Sequence, residues 1–373
     1  MTIVRATRSI RRPRGLVPGL LIALLVASRG CTEAPKAVKP VAPVGAEVNL
    51  LAMGDWGADS SFQRSIARAM ADYVRAEAAV GRKFDAGILA GDNFYERLLS
   101  PEDPNWRRLF EDMYDPQVLN FPFYAVLGNH DYQFHKDRVE LAYTRDYPTS
   151  RFKLPARWYR LELPQKDPLV TVLMLDSNKQ EGGLTEAQWG EELRWLEGEL
   201  AKPRTTPWVM CVAHHPLYSN GLHGDNGVLQ RDWGPLFDRY HVDFYVCGHD
   251  HDLEHIEVPN RSPSFLVVGG GGARVRPVFR DTRGPFSRSV YGFAHLRFTP
   301  TTAFVRFVNK YGKEIHFFQR TPRGDVQVVK TTGVEKATSQ PLKVLQGLDL
   351  MTTRPTTNLA TQPSTKRAFH EAD

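Results

Sequence analysis

Cysteine is scarce: the chain of 373 residues has three. With Cys31 set aside near the N-terminus, only Cys211 and Cys247 remain, so disulfides do not frame the fold. Each lies in an apolar run just ahead of a histidine motif. Buried free thiols are the plain reading. One disulfide between them stays open, because the two runs suit neighbouring strands. A sustained charge excess is missing too. The formal net charge is +6, yet residues 1–30 hold six arginines (Arg5, Arg8, Arg11, Arg12, Arg14, Arg29) and no acid. Basic and acidic residues balance over the remainder, with 42 of each. That balance gives no support to a nucleic-acid partner. No internal repeat is visible. The longest apolar run, Leu16–Ala27, is broken by Pro18 and Gly19 and is too short for a comfortable membrane span.

What is present is an ordinary globular composition, 42% apolar and 24% charged. The basic stretch through Arg14 followed by Leu16–Ala27 suits a secretory signal. Ser28-Arg29-Gly30-Cys31 resembles a bacterial lipoprotein cleavage site, although Arg29 fits it poorly. Arg11-Arg12 suits a twin-arginine signal, although Pro13-Arg14 follow. An uncleaved signal anchor is the third reading. All three place the bulk of the chain outside the cytoplasm: periplasmic, at the cell surface or secreted, with membrane attachment through the N-terminus in two of them. Residues 31–46 read as a Pro/Ala-rich linker. Residues 47–330 read as the folded domain. Residues 331–373, rich in Thr, Pro and Gln, are expected to form a mobile tail.

Within the domain, strands and helices alternate. Strands are expected at Val48–Met53, Phe84–Ala90, Phe123–Leu127, Val170–Leu175, Trp208–Ala213 and Val242–Cys247. Phe62, Ile66, Met70 and Val74 repeat at helical spacing. A helix near 186–200 is signalled by Thr185 and Gln188 as a capping box, with Trp189, Leu193, Leu196 and Leu200 on one face. Past residue 264 the pattern turns to strands: Ser264–Val268, Tyr291–Thr299, Ala303–Asn309, Glu314–Arg320 and Asp325–Lys330. Lys310-Tyr311-Gly312-Lys313 reads as a hairpin turn.

Five polar motifs close the predicted strands. They are Gly54-Asp55-Trp56-Gly57, Gly91-Asp92-Asn93-Phe94-Tyr95, Gly128-Asn129-His130-Asp131, His214-His215-Pro216 and Gly248-His249-Asp250-His251. In α/β sheets the carboxyl ends of strands are where sites assemble. Carboxylate and phenolate oxygens suit hard, highly charged ions, and imidazole suits borderline ones. A carboxylate can bridge two cations. His249 and His251 share one face if the segment is extended; in a turn each reaches a different metal. Any one motif alone is an ordinary turn or a packed histidine. Five in order, each ending a strand, point to a metal site.

These motifs resemble the calcineurin-like metallophosphoesterases, and within them the purple acid phosphatases of the small tartrate-resistant type. The resemblance spans roughly residues 48–272 and includes Ala142-Tyr143, Trp158-Tyr159-Arg160-Leu161, Leu175-Asp176 and Cys247–Leu253. Tyr95 is its most specific mark. The resemblance implies an α/β fold, a four-layer α-β-β-α sandwich with a β-rich C-terminal third. It implies Fe(III) held by Asp55, Asp92, Tyr95 and His251. A second ion (Fe, Zn or Mn) falls to Asp92, Asn129, His214 and His249, with Asp92 bridging. His130 and His223 match the substrate-pocket histidines. The implied activity is acid hydrolysis of small phosphate monoesters by a metal-bound hydroxide, with His130, and His223 beside it, protonating the leaving oxygen.

The departures matter as well. Cys211 replaces a usual Val. His215 either packs beside Pro216 or adds an imidazole to the pocket. The short segment Asp176–Thr185 lacks the longer loop that is cut on activation of the mammalian type, so an open site is expected. The glycine run 269–272 lacks a dinucleotide-fold setting and reads as a tight loop near the site. His135, His241, His255, His295, His316 and His370 fit no ligand motif. Asp131 either orients His130 or caps its loop. A phosphodiesterase or nucleotidase on the same fold is the rival enzyme, and a non-catalytic phosphate-binding surface lipoprotein the rival module. The oligomeric state has no signature in the sequence.

Overall fold

The computed structural model describes residues 46–179, 183–279 and 283–332. The expected signal, the linker up to residue 45, His370 and the expected tail from 333 lie outside the described residues. Among the described residues no helix is long and apolar enough to cross a membrane.

The chain runs β1 (Val48–Met53), α1 (Ser61–Ala79), β2 (Ala86–Leu89), β3 (Phe123–Ala125), the single turn α2 (Asn129–Tyr132), α3 (Lys136–Asp146), β4 (Phe152–Lys153), β5 (Tyr159–Leu163), β6 (Val170–Met174) and α4 (Glu186–Leu200). It continues with β7 (Trp208–Val212), α5 (Gly227–Asp232), α6 (Gly234–Arg239), β8 (Phe244–Cys247), β9 (Leu253–Glu257) and β10 (Ser264–Val268). The end is all strand: β11 (Phe286–Arg288), β12 (Gly292–Phe298), β13 (Ala303–Asn309), β14 (Glu314–Arg320) and β15 (Val326–Thr331).

Two sheets result. The eight-stranded sheet has the order β15-β14-β13-β12-β1-β2-β3-β4, and the seven-stranded sheet the order β11-β9-β10-β8-β7-β6-β5. The centre of each is parallel: β1, β2 and β3 in one, β6, β7 and β8 in the other. Strands buried on both faces alternate between two cores. Trp208, Met210 and Val212 of β7 join the core between the sheets, with Val170, Val172, Phe244 and Val246. Val209 and Cys211 point the other way, into a second core with Trp189, Leu196, Leu229 and Phe237 of α4, α5 and α6. On the opposite side, Ile66, Met70 and Val74 seat α1 against the first sheet. The result is the expected α-β-β-α layering.

Local signals explain the helix starts. Thr185 Oγ1 accepts from Gln188 N at 3.3 Å while Gln188 Oε1 accepts from Thr185 N at 3.0 Å. Ser60 Oγ caps α1 by accepting from Gln63 N at 2.9 Å. Phe62, expected on the buried face, is instead 37% exposed and stacks on Tyr291, 4.1 Å between ring centres. The disulfide reading fails. Cys211 and Cys247 are both free, buried in the second core, and their strands pair out of register for a bond.

Candidate metal centre

The carboxyl ends of β1, β2, β3, β7 and β8 lie at one end of the molecule, and each carries one motif. Three residues there hold the left-handed backbone that non-glycine residues seldom adopt: Asp55 (φ 58°), Asp92 (φ 50°) and His249 (φ 69°). Each costs about 1–2 kcal/mol, so the surrounding packing must enforce the turn. The turn aims the side chain across the cleft. Backbone N–H groups then tie the loops together: His249 N–H donates to Asp55 Oδ2 at 2.9 Å, and His130 N–H donates to Asp92 Oδ1 at 2.9 Å. Gly54 and Gly248 let the loops of the two sheets meet. A Cβ on Gly54 would stand 3.1 Å from the Gly248 Cα. The glycine run 269–272 packs against Gly54 and Asp55, the tight loop expected beside the site.

All seven expected ligand side chains converge there. Tyr95 Oη lies 3.1 Å from Asp92 Oδ2, 3.3 Å from Asp55 Oδ1 and 3.2 Å from His251 Nε2. Next to this group, His214 Nε2 lies 3.0 Å from Asn129 Oδ1, 3.4 Å from Asp92 Oδ1 and 3.3 Å from His249 Nδ1. Asp92 therefore belongs to both clusters, with one oxygen in each. His249 and His251 take opposite sides, which the turn at His249 explains.

The chemistry of these atoms fits cations. Oxygens and ring nitrogens face one another at hydrogen-bond range with too few protons to share. Burial first, then the charges of Asp92 and Asp55, push the Tyr95 hydroxyl well above the usual phenol range. Burial, then the neighbouring imidazoles of His215, His214 and His223, keep His249 well below its ordinary value and so neutral. A neutral imidazole is a lone-pair donor. Other groups fix ring orientation, as metal-ligating histidines require. His214 Nδ1 meets the Ala90 carbonyl at 2.9 Å, and His251 Nδ1 meets the Arg274 carbonyl at 2.8 Å. Asp55, Asp92 and His214 offer atoms within 4.8 Å of one another, as do His214, His215 and His249.

His130 and His223 stand at the rim, with side chains 31% and 35% exposed. The His130 ring lies 4.5 Å from that of Tyr95, and the His223 ring lies 4.1 Å from that of His249. Asp131 caps loops. Its carboxylate accepts from the backbone N–H groups of Gly128 at 2.8 Å, Asn93 at 2.9 Å and Phe94 at 3.1 Å. His215 does more than pack beside Pro216. Its Nδ1 is 2.8 Å from Ser177 Oγ, and its ring is 4.4 Å from that of His249. His255, His295 and His316 are buried away from the ligand clusters. Residues 180–182 of the short segment after Asp176 lie outside the described residues.

Comparisons with known proteins agree with this geometry. The sequence pattern of the calcineurin-like phosphoesterases matches residues 48–253. The chain belongs to the calcineurin-like phosphoesterase family. Among curated proteins, it is 27% identical over 303 residues to tartrate-resistant acid phosphatase type 5 of Sus scrofa, covering 74% of this chain and 87% of that one. It is 28% identical over 344 residues to purple acid phosphatase 17 of Arabidopsis thaliana, covering 84% and 94%. Among solved structures, a purple acid phosphatase from yellow lupin seeds superposes with a TM-score of 0.58 at 17% identity, covering 76% and 55%. GAP50, the anchor in the inner membrane complex of Plasmodium, superposes at 0.64 with 21% identity, covering 76% and 90%. At these identities the structures speak for the fold alone.

Sequence reasoning passed over some residues that matter here. Glu140, buried at the start of the second turn of α3, accepts from Asn93 Nδ2 at 2.9 Å. Arg276 contacts His223. Neither carries a local signal, because each acts through a fold-dependent neighbour.

Proposed function

We propose that this protein is a dinuclear-metal phosphatase that hydrolyses small phosphate monoesters. The observation that carries the reading is Asp92, one carboxylate whose two oxygens each complete a different cluster of donors. Asp55, Asp92, Tyr95 and His251 would hold one ion, Fe(III) by the presence of the phenol. Asp92, Asn129, His214 and His249 would hold a divalent one, Fe, Zn or Mn. When bound, such a pair acidifies water and neutralises phosphoryl charge. The chain's own residues do the rest. Asn129 contributes a neutral oxygen, which leaves the second site less negative and open to an anionic ester. His130, at the rim beside Tyr95, is placed to give a proton to the leaving oxygen. The relatives named acid phosphatases support the reaction class. The basic and apolar pattern of residues 1–30 supports extending the proposal to an extracytoplasmic enzyme.

The test is metal analysis and a visible spectrum of the purified chain, with p-nitrophenyl phosphate, its bis-aryl diester and a nucleotide assayed side by side. Two metals per chain and a preference for the monoester are expected. Tyr95→Phe should abolish a visible absorption band, because a phenolate–iron(III) pair is its proposed source. A band that survives the substitution rules out Tyr95 as a ligand, and a preference for the diester moves the reading to a phosphodiesterase.

A further inference from the structure

Two arginines near the cleft are held by carboxylates. Arg283 pairs with Asp225 at 2.8 Å, and Arg157 pairs with Asp137 at 2.7 Å. Arg276 differs. Among the described residues its side chain meets His223, Nη1 to Nε2 at 2.8 Å, and no carboxylate. Its backbone is fixed along the rim of the site. Ala273 N–H donates to the Asp55 carbonyl at 2.8 Å, Arg276 N–H to the His251 carbonyl at 3.1 Å, and Phe279 N–H to the Asn220 carbonyl at 2.8 Å.

The proton count on His223 follows from this contact. A guanidinium has only N–H donors, so His223 Nε2 accepts from it. The ring proton then sits on Nδ1, which donates to Asp250 Oδ1 at 2.9 Å; His223 N–H reaches the same oxygen at 3.0 Å. In this arrangement His223 has no ring N–H left to give a leaving oxygen. It acts as a spacer. The buried Asp250 fixes the imidazole, and the imidazole fixes the guanidinium one ring farther out than His249. Arg276 is partly exposed, and among the described residues its side chain makes no other hydrogen bond, so its remaining N–H groups face the side where the non-phosphoryl part of an ester would lie.

We propose that Arg276 is a specificity-determining residue that binds a second anionic group, a carboxylate or another phosphate, on the leaving portion of the substrate. A guanidinium pairs with either group in a bidentate fashion. The proposal rests on the phosphatase reading, and the experiment separates the two. Binding of three non-hydrolysable probes to the metal-loaded full chain is measured by calorimetry: phenylphosphonate, 4-carboxyphenylphosphonate and 1,4-phenylenediphosphonate. The parent should bind at least one doubly anionic probe about tenfold more tightly than phenylphosphonate. Arg276→Gln should erase that preference while phenylphosphonate stays within about twofold, and Arg276→Lys should keep part of it. A gain for the carboxylate probe alone or the diphosphonate alone identifies the group. No preference in the parent, a preference that survives Arg276→Gln, or an equal loss for all three probes overturns the proposal. Binding is read without turnover, so a chain that shows the preference but hydrolyses nothing would sink the phosphatase reading and leave the role of Arg276 standing.

Discussion

The loops of the eight-stranded sheet bring oxygen atoms to the cleft: Asp55, Asp92, Tyr95 and Asn129. The loops of the seven-stranded sheet bring imidazole nitrogens: His214, His249 and His251. Neither half holds a mixed set alone. The complete site exists only where the sheets pack, and contacts between the halves enforce that packing. His249 N–H binds an oxygen of Asp55, and His214 Nδ1 meets the carbonyl of Ala90. The halves also solve burial differently. The oxygen half leans on a buried carboxylate, Asp131, that gathers backbone N–H groups, whereas the rings of His214 and His251 rest against backbone carbonyls.

Asp92 couples the two clusters most directly, because it is the oxygen donor both of them use. Asp92→Asn should strip both metals together and lower turnover by more than about a hundredfold. Metal content per chain decides it. If one full equivalent of metal remains, the two clusters hold their ions independently and Asp92 does not bridge.

Asp131 tests the support of the oxygen half alone. Asp131→Ala leaves the N–H groups of Gly128, Asn93 and Phe94 without their acceptor. Each buried donor left unpaired costs about 1–3 kcal/mol. The variant should lose several degrees of melting temperature and about ten- to a hundredfold in activity. If His130 orientation were the main role of Asp131, activity would fall with the melting temperature intact.

The contrast between the halves was legible in the motifs, because each ligand type sits beside an apolar strand run that fixes its place. Ser264–Val268, Ala303–Asn309 and Glu314–Arg320 match β10, β13 and β14 for the same reason: alternation or a continuous apolar run is a local property. β9 escaped notice. Its Leu-Glu-His-Ile-Glu sequence buries Glu254 and His255, which find partners in Ser219, Asn220 and His316 from distant segments. α3 escaped for the same cause, since Lys136 and Glu140 are buried against the Asn93–Glu96 loop. The role of Asp131 was undecidable from sequence, because it depends on which N–H groups the fold brings within reach. Arg276 belongs to that class too, with its meaning set by a histidine 53 positions away.

The smallest expected effect comes from an imidazole of the eight-stranded sheet that lies outside both donor clusters, and it asks what burying a histidine costs without those partners. His316 is buried and bonded to His255, Nε2 to Nδ1 at 2.9 Å, and to Thr331 Oγ1 at 2.8 Å, with Phe286 and Phe307 stacked nearby. Burial first, then the adjacent His255, lowers its pKa from 6.5 to about 3. The folded value is thus below the unfolded one, so between these limits the unfolded chain binds more protons. Stability is then fully present above pH 6.5 and is lost as the pH falls toward 3, with a slope approaching about 1.4 kcal/mol per pH unit for one proton. His316→Gln keeps a hydrogen-bonding side chain but cannot titrate. Urea midpoints at pH 4, 5, 6 and 7 should fall less steeply toward acid in this variant than in the parent, whatever its absolute stability. Equal slopes would mean that the His316 ring takes up its proton in the folded chain as readily as in the unfolded one, and that this part of the eight-stranded sheet tolerates a charged ring.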